Sequence, residues 1–254
     1  MRIIISPAKK MRTDTDSFSC RSLPRFLPQT EKILKKLRSM SYEELKALWK
    51  CNEQIAALNV ERLKTMDLRR GLTPAILAYE GIQYQYMAPG VFSRQALDYV
   101  EEHLRILSGF YGILRPFDGV TPYRLEMQAK LSMEGHSDLY SFWGGSPAES
   151  LFSETDCIVD LASKEYSQCI SRFPRDDVRL ISCVFGEQKG ERVLEKGTMC
   201  KMARGEMVRF MAENQITDVE QLKAFDRLGY RFSHKASSVN TLVFLKEQTE
   251  KQKG

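Results

Sequence analysis

His103–Met127 reads HLRILSGFYGILRPFDGVTPYRLEM, and its interpretation decides how the rest of the chain is organised. An apolar run (Leu104, Ile106, Leu107) leads into Ser108-Gly109, and a second apolar pair (Ile113, Leu114) follows Gly112. Glycine allows a positive φ or a close approach of backbone to another group, so this pattern predicts a tight hairpin over Ser108–Arg115 with exposed amides. Arg105, Arg115 and Arg124 bracket the turn. Exposed N–H groups beside guanidiniums are a means of holding phosphate. The competing reading is a buried turn whose arginines pair with carboxylates such as Asp118 and Glu126.

Upstream, Arg2–Ser6 (RIIIS) is a β-branched run halted by Pro7, the pattern of a strand buried on both faces, and it opens into a loop carrying Lys9 and Lys10. Helical spacing follows over Thr30–Met40. Ser41 and Glu44 form a capping-box pair that starts a second helix, and a third runs from about Asn52 to Leu63. Ala75–Tyr79 reads as a short strand, and Ser93 caps a helix through Val100. Downstream, Asp138–Trp143 gathers three aromatics before Gly144-Gly145, and Cys157–Leu161 reads as a buried strand. Arg179–Phe185 and Arg192–Leu194 flank a glycine-bounded turn and predict a β-hairpin. Thr198–Asn214 reads as a long helix, Thr217–Glu220 as a second capping box, and Tyr230–Phe232 and Thr241–Leu245 as strands. With no repeat or linker, the pattern predicts one compact α/β domain over residues 1–254 with a mixed sheet.

The 38 basic and 33 acidic residues of the 254 give a formal charge of +5, which permits an anionic partner without requiring one. The basic residues of the first three helices are interspersed with glutamates, the pattern of a solvated face. Six scattered cysteines without a Cys-x-x-Cys pair, and a start without a signal peptide, predict a reduced cytoplasmic protein. No apolar run reaches membrane-spanning length. His103, His136 and His234 lie far apart with no second ligand at useful spacing, so no stable metal is expected, and no phosphate-loop or dinucleotide fingerprint calls for a cofactor. Lys9, just past a strand end, is the one residue placed to act as a reactive amine or phosphate ligand. In Thr198–Asn214, Lys201 and Arg204 share a face apart from the apolar stripe, and Gly205 beside them marks a close approach of ligand or helix.

IISPAK at the start, ILAYEG near Ala78, LRILSGFYGILRP, PYRLEM, DLYSFWG, VDLASKEY and the late Lys-x-Ala-Arg-Gly occur in this order. From Met1 to about Lys246 the chain closely resembles the YaaA family of bacterial peroxide-stress proteins. The resemblance implies protection against hydrogen peroxide, links to iron homeostasis and DNA repair, and an unusual α/β fold. It also implies a basic cleft and a helix-hairpin-helix-like element, at about residues 103–127, that bind double-stranded or structured DNA. The nucleic-acid-binding candidates are then Lys9, Arg105, Ser108, Gly109, Gly112, Arg115, Arg124, Lys201 and Arg204. Two departures stand out. Gly109 and Gly112 have two residues between them where the usual motif has one, and Lys201-Met202 occupies a place where relatives often carry paired lysines. The alternative is an enzyme acting on a nucleotide or nucleic acid, with Lys9 as the amine and Glu126 or Asp160 as acid or base. Direct iron sequestration is disfavoured by the poverty of ligands.

Overall fold

The computed structural model describes residues 1–247. In chain order the strands are β1 (Arg2–Ile5), β2 (Lys10–Met11), β3 (Thr73–Pro74), β4 (Tyr79–Glu80), β5 (Leu104–Ser108), β6 (Gly112–Leu114), β7 (Gly119–Val120), β8 (Cys157–Leu161), β9 (Arg179–Lys189), β10 (Arg192–Leu194), β11 (Tyr230–Phe232) and β12 (Thr241–Lys246). The helices are α1 (Leu27–Arg38), α2 (Tyr42–Trp49), α3 (Glu53–Thr65), α4 (Ala75–Ala78), α5 (Ile82–Met87), α6 (Arg94–His103), α7 (Leu139–Trp143), α8 (Ser146–Phe152), α9 (Lys164–Ser171) and α10 (Gly197–Glu213).

The predicted mixed α/β fold is present as an eight-stranded sheet in the order β11-β12-β9-β8-β1-β5-β6, with β10 paired to β9. Strands β5, β1, β8, β9 and β12 run parallel, and β6, β10 and β11 are antiparallel additions. Ile3, Ile4 and Ile5 of β1 are fully buried, as expected for a central strand covered on both faces. Helix α6 packs on β1 and β5, α10 lies against α6 and β9, and α8 contacts β6 and α9. The chain leaves β1 for β5 on one side and returns through β8 on the other, so the strand order reverses at β1. Open α/β sheets form ligand crevices at such a reversal, outside the carboxyl ends of the strands.

The local rules hold where capping chemistry is complete. Ser41 accepts from the Glu44 amide while the Glu44 carboxylate accepts from the Ser41 amide, starting α2 as predicted. The expected cap at Thr217 is displaced by one residue, because the Asp218 carboxylate accepts the Glu220 amide and Gln221 closes the box. The expected strand at Ala75–Tyr79 is instead the single turn α4 followed by β4. All of α4 is buried, and a four-residue apolar run carries no period that separates strand from helix.

The largest correction concerns residues 103–127. The segment forms the antiparallel pair β5–β6 and not a helix-hairpin-helix. Its amides are not presented to solvent. Ser108, fully buried, accepts from the amides of Phe110 and Tyr111, and the Gly109 carbonyl accepts from Trp143 Nε1. A Cβ on Gly109 would come within 2.8 Å of the Leu125 carbonyl oxygen. Gly112, at φ +75°, would place one 2.9 Å from the Trp143 ring. These glycines admit backbone and tryptophan into a packed core in which Phe110 stacks on Tyr123 at 4.8 Å between ring centres.

Candidate functional site

At the carboxyl ends of β1 and β8 the turns that leave the sheet are tied together. Ser6 Oγ accepts from the Ser163 amide at 2.8 Å and lies 3.1 Å from Ser163 Oγ, which fixes the loop carrying Lys9 against the start of α9. Tyr84 on α5 donates to the Ser6 carbonyl at 3.0 Å. The result is a cleft of about 390 Å³ reached by the β1 loop, the start of α5, the extended run after β7, the start of α9 and one face of α10.

Each wall follows from local sequence. Residues 121–129 alternate in burial, with Tyr123, Leu125 and Met127 packed inward and Arg124 and Glu126 turned toward the cleft. Arg124 reaches the last carbonyl of α2, Trp49, at 3.5 Å, where a helix C-terminus favours a cation. On α10, Lys201 is exposed and Arg204 half-buried, so their three-residue spacing brings both to the cleft. Gly205 beneath them is explained by packing. A Cβ there would stand 2.2 Å from the Gln83 carbonyl oxygen, because α10 and α5 cross in near backbone contact.

The charges of the lining are mixed, with cations in excess of carboxylates. Lys9, Lys10, Arg124, Lys201 and Arg204 face Glu80, Glu126 and Glu165. Glu126 lies 2.9 Å from Lys9 Nζ and 3.6 Å from Arg124 Nη2. Arg204 meets Glu195 at 3.5 Å. Among the described residues, the buried Nε atoms of Arg124 and Arg204 have no hydrogen-bond partner. Burial pushes the Glu165 carboxyl above the usual carboxylate range, and a bond from the Gln128 amide recovers only part of the shift. Lys9 is 64% exposed, which leaves it solvated beside Glu126 instead of buried as a reactive amine would be. Asp160 lies outside the cleft lining. Burial raises its pKa, while Ser167 and the Ala162 amide bind its oxygens and order the turn after β8.

The candidates therefore separate. Lys9, Arg124, Lys201 and Arg204 converge on this cleft, whereas Arg105 and Arg115 border another cavity, of about 330 Å³. Arg105 is the second residue of β5, and Arg115 follows β6, which runs antiparallel to it; both thus lie at the amino end of β5. Ser108, Gly109 and Gly112 belong to the buried hairpin. Sequence reasoning missed Ser6, Ser163 and Glu165. The signal was available in Leu161-Ala-Ser-Lys-Glu, a strand end followed directly by a helix start, the usual place for site residues in parallel sheets.

Among the described residues, no helix is long and apolar enough to cross a membrane, and no cluster of His, Cys, Asp and Glu is arranged for a metal ion. The family model for "Peroxide stress protein YaaA" matches residues 1–236. A UPF0246 protein of Lachnoclostridium phytofermentans is 56% identical over 249 residues, covering 98% of this chain and 98% of its own length. Another UPF0246 protein, of Pediococcus pentosaceus, is 51% identical over 251 residues, covering 99% of this chain and all of its own. A match over nearly the whole length, together with the cleft built from its IISPAK, PYRLEM and Lys-x-Ala-Arg-Gly blocks, means that the chain belongs to the YaaA family of peroxide-stress proteins.

Proposed function

We propose that the chain acts in the peroxide response by binding double-stranded or structured DNA through the phosphate backbone, with the cleft at the carboxyl ends of β1 and β8 as the contact site. The observation that carries this reading is the convergence of Lys9, Arg124, Lys201 and Arg204, from distant parts of the chain, on one cleft where two guanidiniums keep unpartnered Nε atoms. Hydrogen-bonding capacity left open on a buried arginine favours an anionic partner. Phosphate contacts position a duplex without reading it, so sequence has little influence. The links to iron and DNA repair fit a protein that lies on DNA where iron-generated radicals would otherwise act.

Fluorescence-anisotropy titration against duplex, junction and single-stranded DNA at several salt concentrations tests it. If about three phosphates are neutralised, log affinity falls with log salt at a slope of roughly −0.9 per phosphate. Salt-independent binding, or strong preference for one duplex sequence, contradicts the reading.

A second reading places enzymatic chemistry on a nucleotide in the same cleft. It is favoured by Glu165, which burial holds toward its neutral form, in a cleft where Glu126 contacts Lys9 and Arg124. A carboxyl whose pKa is raised toward neutrality is suited to general acid–base work. Product formation from DNA or free nucleotides that disappears in Glu165→Gln would establish it.

A further inference from the structure

Resting on the DNA-binding reading, we infer that the cleft receives a single nucleotide turned out of the double helix, while the rest of the duplex lies on the rim. Shape carries the argument. A cavity of about 390 Å³ lies in the range of small-ligand sites, roughly 300–1,000 Å³, and cannot admit a duplex. The cationic groups are layered by depth. Lys9 is 64% exposed at the mouth, whereas Arg124 and Arg204 are 12% and 14% exposed on the inner wall. A phosphate on the surface of an intact duplex reaches Lys9 and Lys201. A partner for the inner guanidiniums has to enter.

The interior also suits a base. Ile82 and Leu125 give it apolar wall, and Tyr123 and Tyr166 back it with aromatic rings. Gln83 Nε2 donates to the Leu161 carbonyl and Glu165 Oε1 accepts from the Gln128 amide, which leaves Gln83 Oε1 and Glu165 Oε2 as the groups that can read a base edge. Tyr123 is held rigid, its hydroxyl 2.7 Å from Ser108 Oγ and 2.9 Å from the Tyr79 hydroxyl, so the back of the cavity is formed before any ligand arrives. The buried hairpin that the sequence presented as a phosphate grip thus supports the aromatic floor of the cavity. Turning a base out costs a few kcal/mol in paired DNA and least at a mismatch, so the cleft selects weakly paired positions.

The test uses duplexes with 2-aminopurine at one position, matched or mismatched, and a remote fluorescein on the other strand. Anisotropy reports binding, and 2-aminopurine emission reports unstacking. The inference predicts emission rising severalfold on saturation of the mismatched duplex, and affinity for it about ten-fold or more above the matched one. Ile82→Trp, which fills the cavity from its rim, should abolish the emission rise and the preference while keeping the parent's thermal midpoint. Should that variant unfold, Ile82→Phe, which adds less bulk at the same rim position, gives the same test in graded form. Binding by anisotropy without an emission rise on either duplex overturns the extruded nucleotide but leaves DNA binding intact. Absence of binding overturns both. Tight saturable binding of dAMP or dTMP with no emission change in DNA assigns the cavity to a free nucleotide and also overturns the inference.

Discussion

The two ends of the central sheet both carry arginines, but they use them differently. At the amino end, Arg105 is 4% exposed, and its Nε donates to Glu154 at 2.9 Å. Its Nη1 donates to the carbonyls of Glu101, Glu102 and Leu104, closing the C-terminal turn of α6. Burial works against the charge on Glu154, yet Arg105 and Arg2 outweigh it and hold the carboxyl below its usual range. At the carboxyl end, Arg124 and Arg204 reach their carboxylates only at 3.6 and 3.5 Å and keep a buried Nε unpartnered. Similar residue types thus serve the fold at one end and remain available at the other. The distinction turns on Glu154, 49 residues from Arg105 and without a local mark in the sequence, whereas the carboxylates near Arg124 and Arg204 lie close in the chain and are met only at longer range.

Removing the satisfied arginine should give the largest effect. Arg105→Ala leaves the half-buried Glu154 with Arg2 alone, at 3.2 Å, and uncaps α6, a loss of about 3 kcal/mol, the low end of the range for breaking a buried pair. Urea unfolding measures it; a destabilisation below about 1 kcal/mol would show that the amino-end pair is not structural.

Gly205→Ala comes next. The added methyl meets α5 backbone that cannot rotate away, and overpacking of this kind costs about 1–3 kcal/mol. Unchanged stability would mean that α5 and α10 can separate freely, and the cleft wall they form would lose its rigidity.

How much of this was readable depended on the range of the interactions. The strand Arg2–Ile5, the capped helix α2 and the β9–β10 hairpin follow from neighbours within a few residues, and the sequence patterns located them. Lys9, Lys201 and Arg204 drew attention through their position past a strand end and along a helix face. The hairpin misled because glycine permits close approach without saying what approaches: at Gly109 it is the Leu125 backbone, and at Gly112 the Trp143 ring. Glu154, which decides the role of Arg105, is separated from it by 49 residues and lies in no recognisable motif.

A smaller effect separates the ends by pH. Glu154 has a folded pKa below its usual 4.5, so its contribution to stability is present above that value and disappears as pH falls through the folded pKa. Glu165 behaves oppositely. Its folded pKa is raised above 4.5, so its contribution is present at lower pH and disappears as pH rises through the folded value. Glu165→Gln should therefore flatten the decline in stability on going up from pH 4.5, and Glu154→Gln the decline on going down from it. Thermal midpoints across pH 3 to 7 that change in the same direction for both variants would remove the contrast.

The central claim is that phosphate meets the carboxyl-end cations and not those of the amino end. The direct measurement is the slope of log affinity for duplex DNA against log salt, for the parent, for Lys9→Gln/Lys201→Gln and for Arg25→Gln/Arg115→Gln. All four side chains are exposed, and Arg25 and Arg115 line the amino-end cavity; the buried group that loses a bond is the Ser150 hydroxyl, which Arg25 Nη1 reaches at 2.9 Å, so that variant is compared at an unchanged thermal midpoint. The account predicts a slope shallower by roughly 0.9 for each phosphate that the Lys9 and Lys201 variant no longer neutralises, and a slope equal to the parent's in the Arg25 and Arg115 variant. The reverse pattern would contradict it and move the DNA-binding face to the opposite end of the sheet.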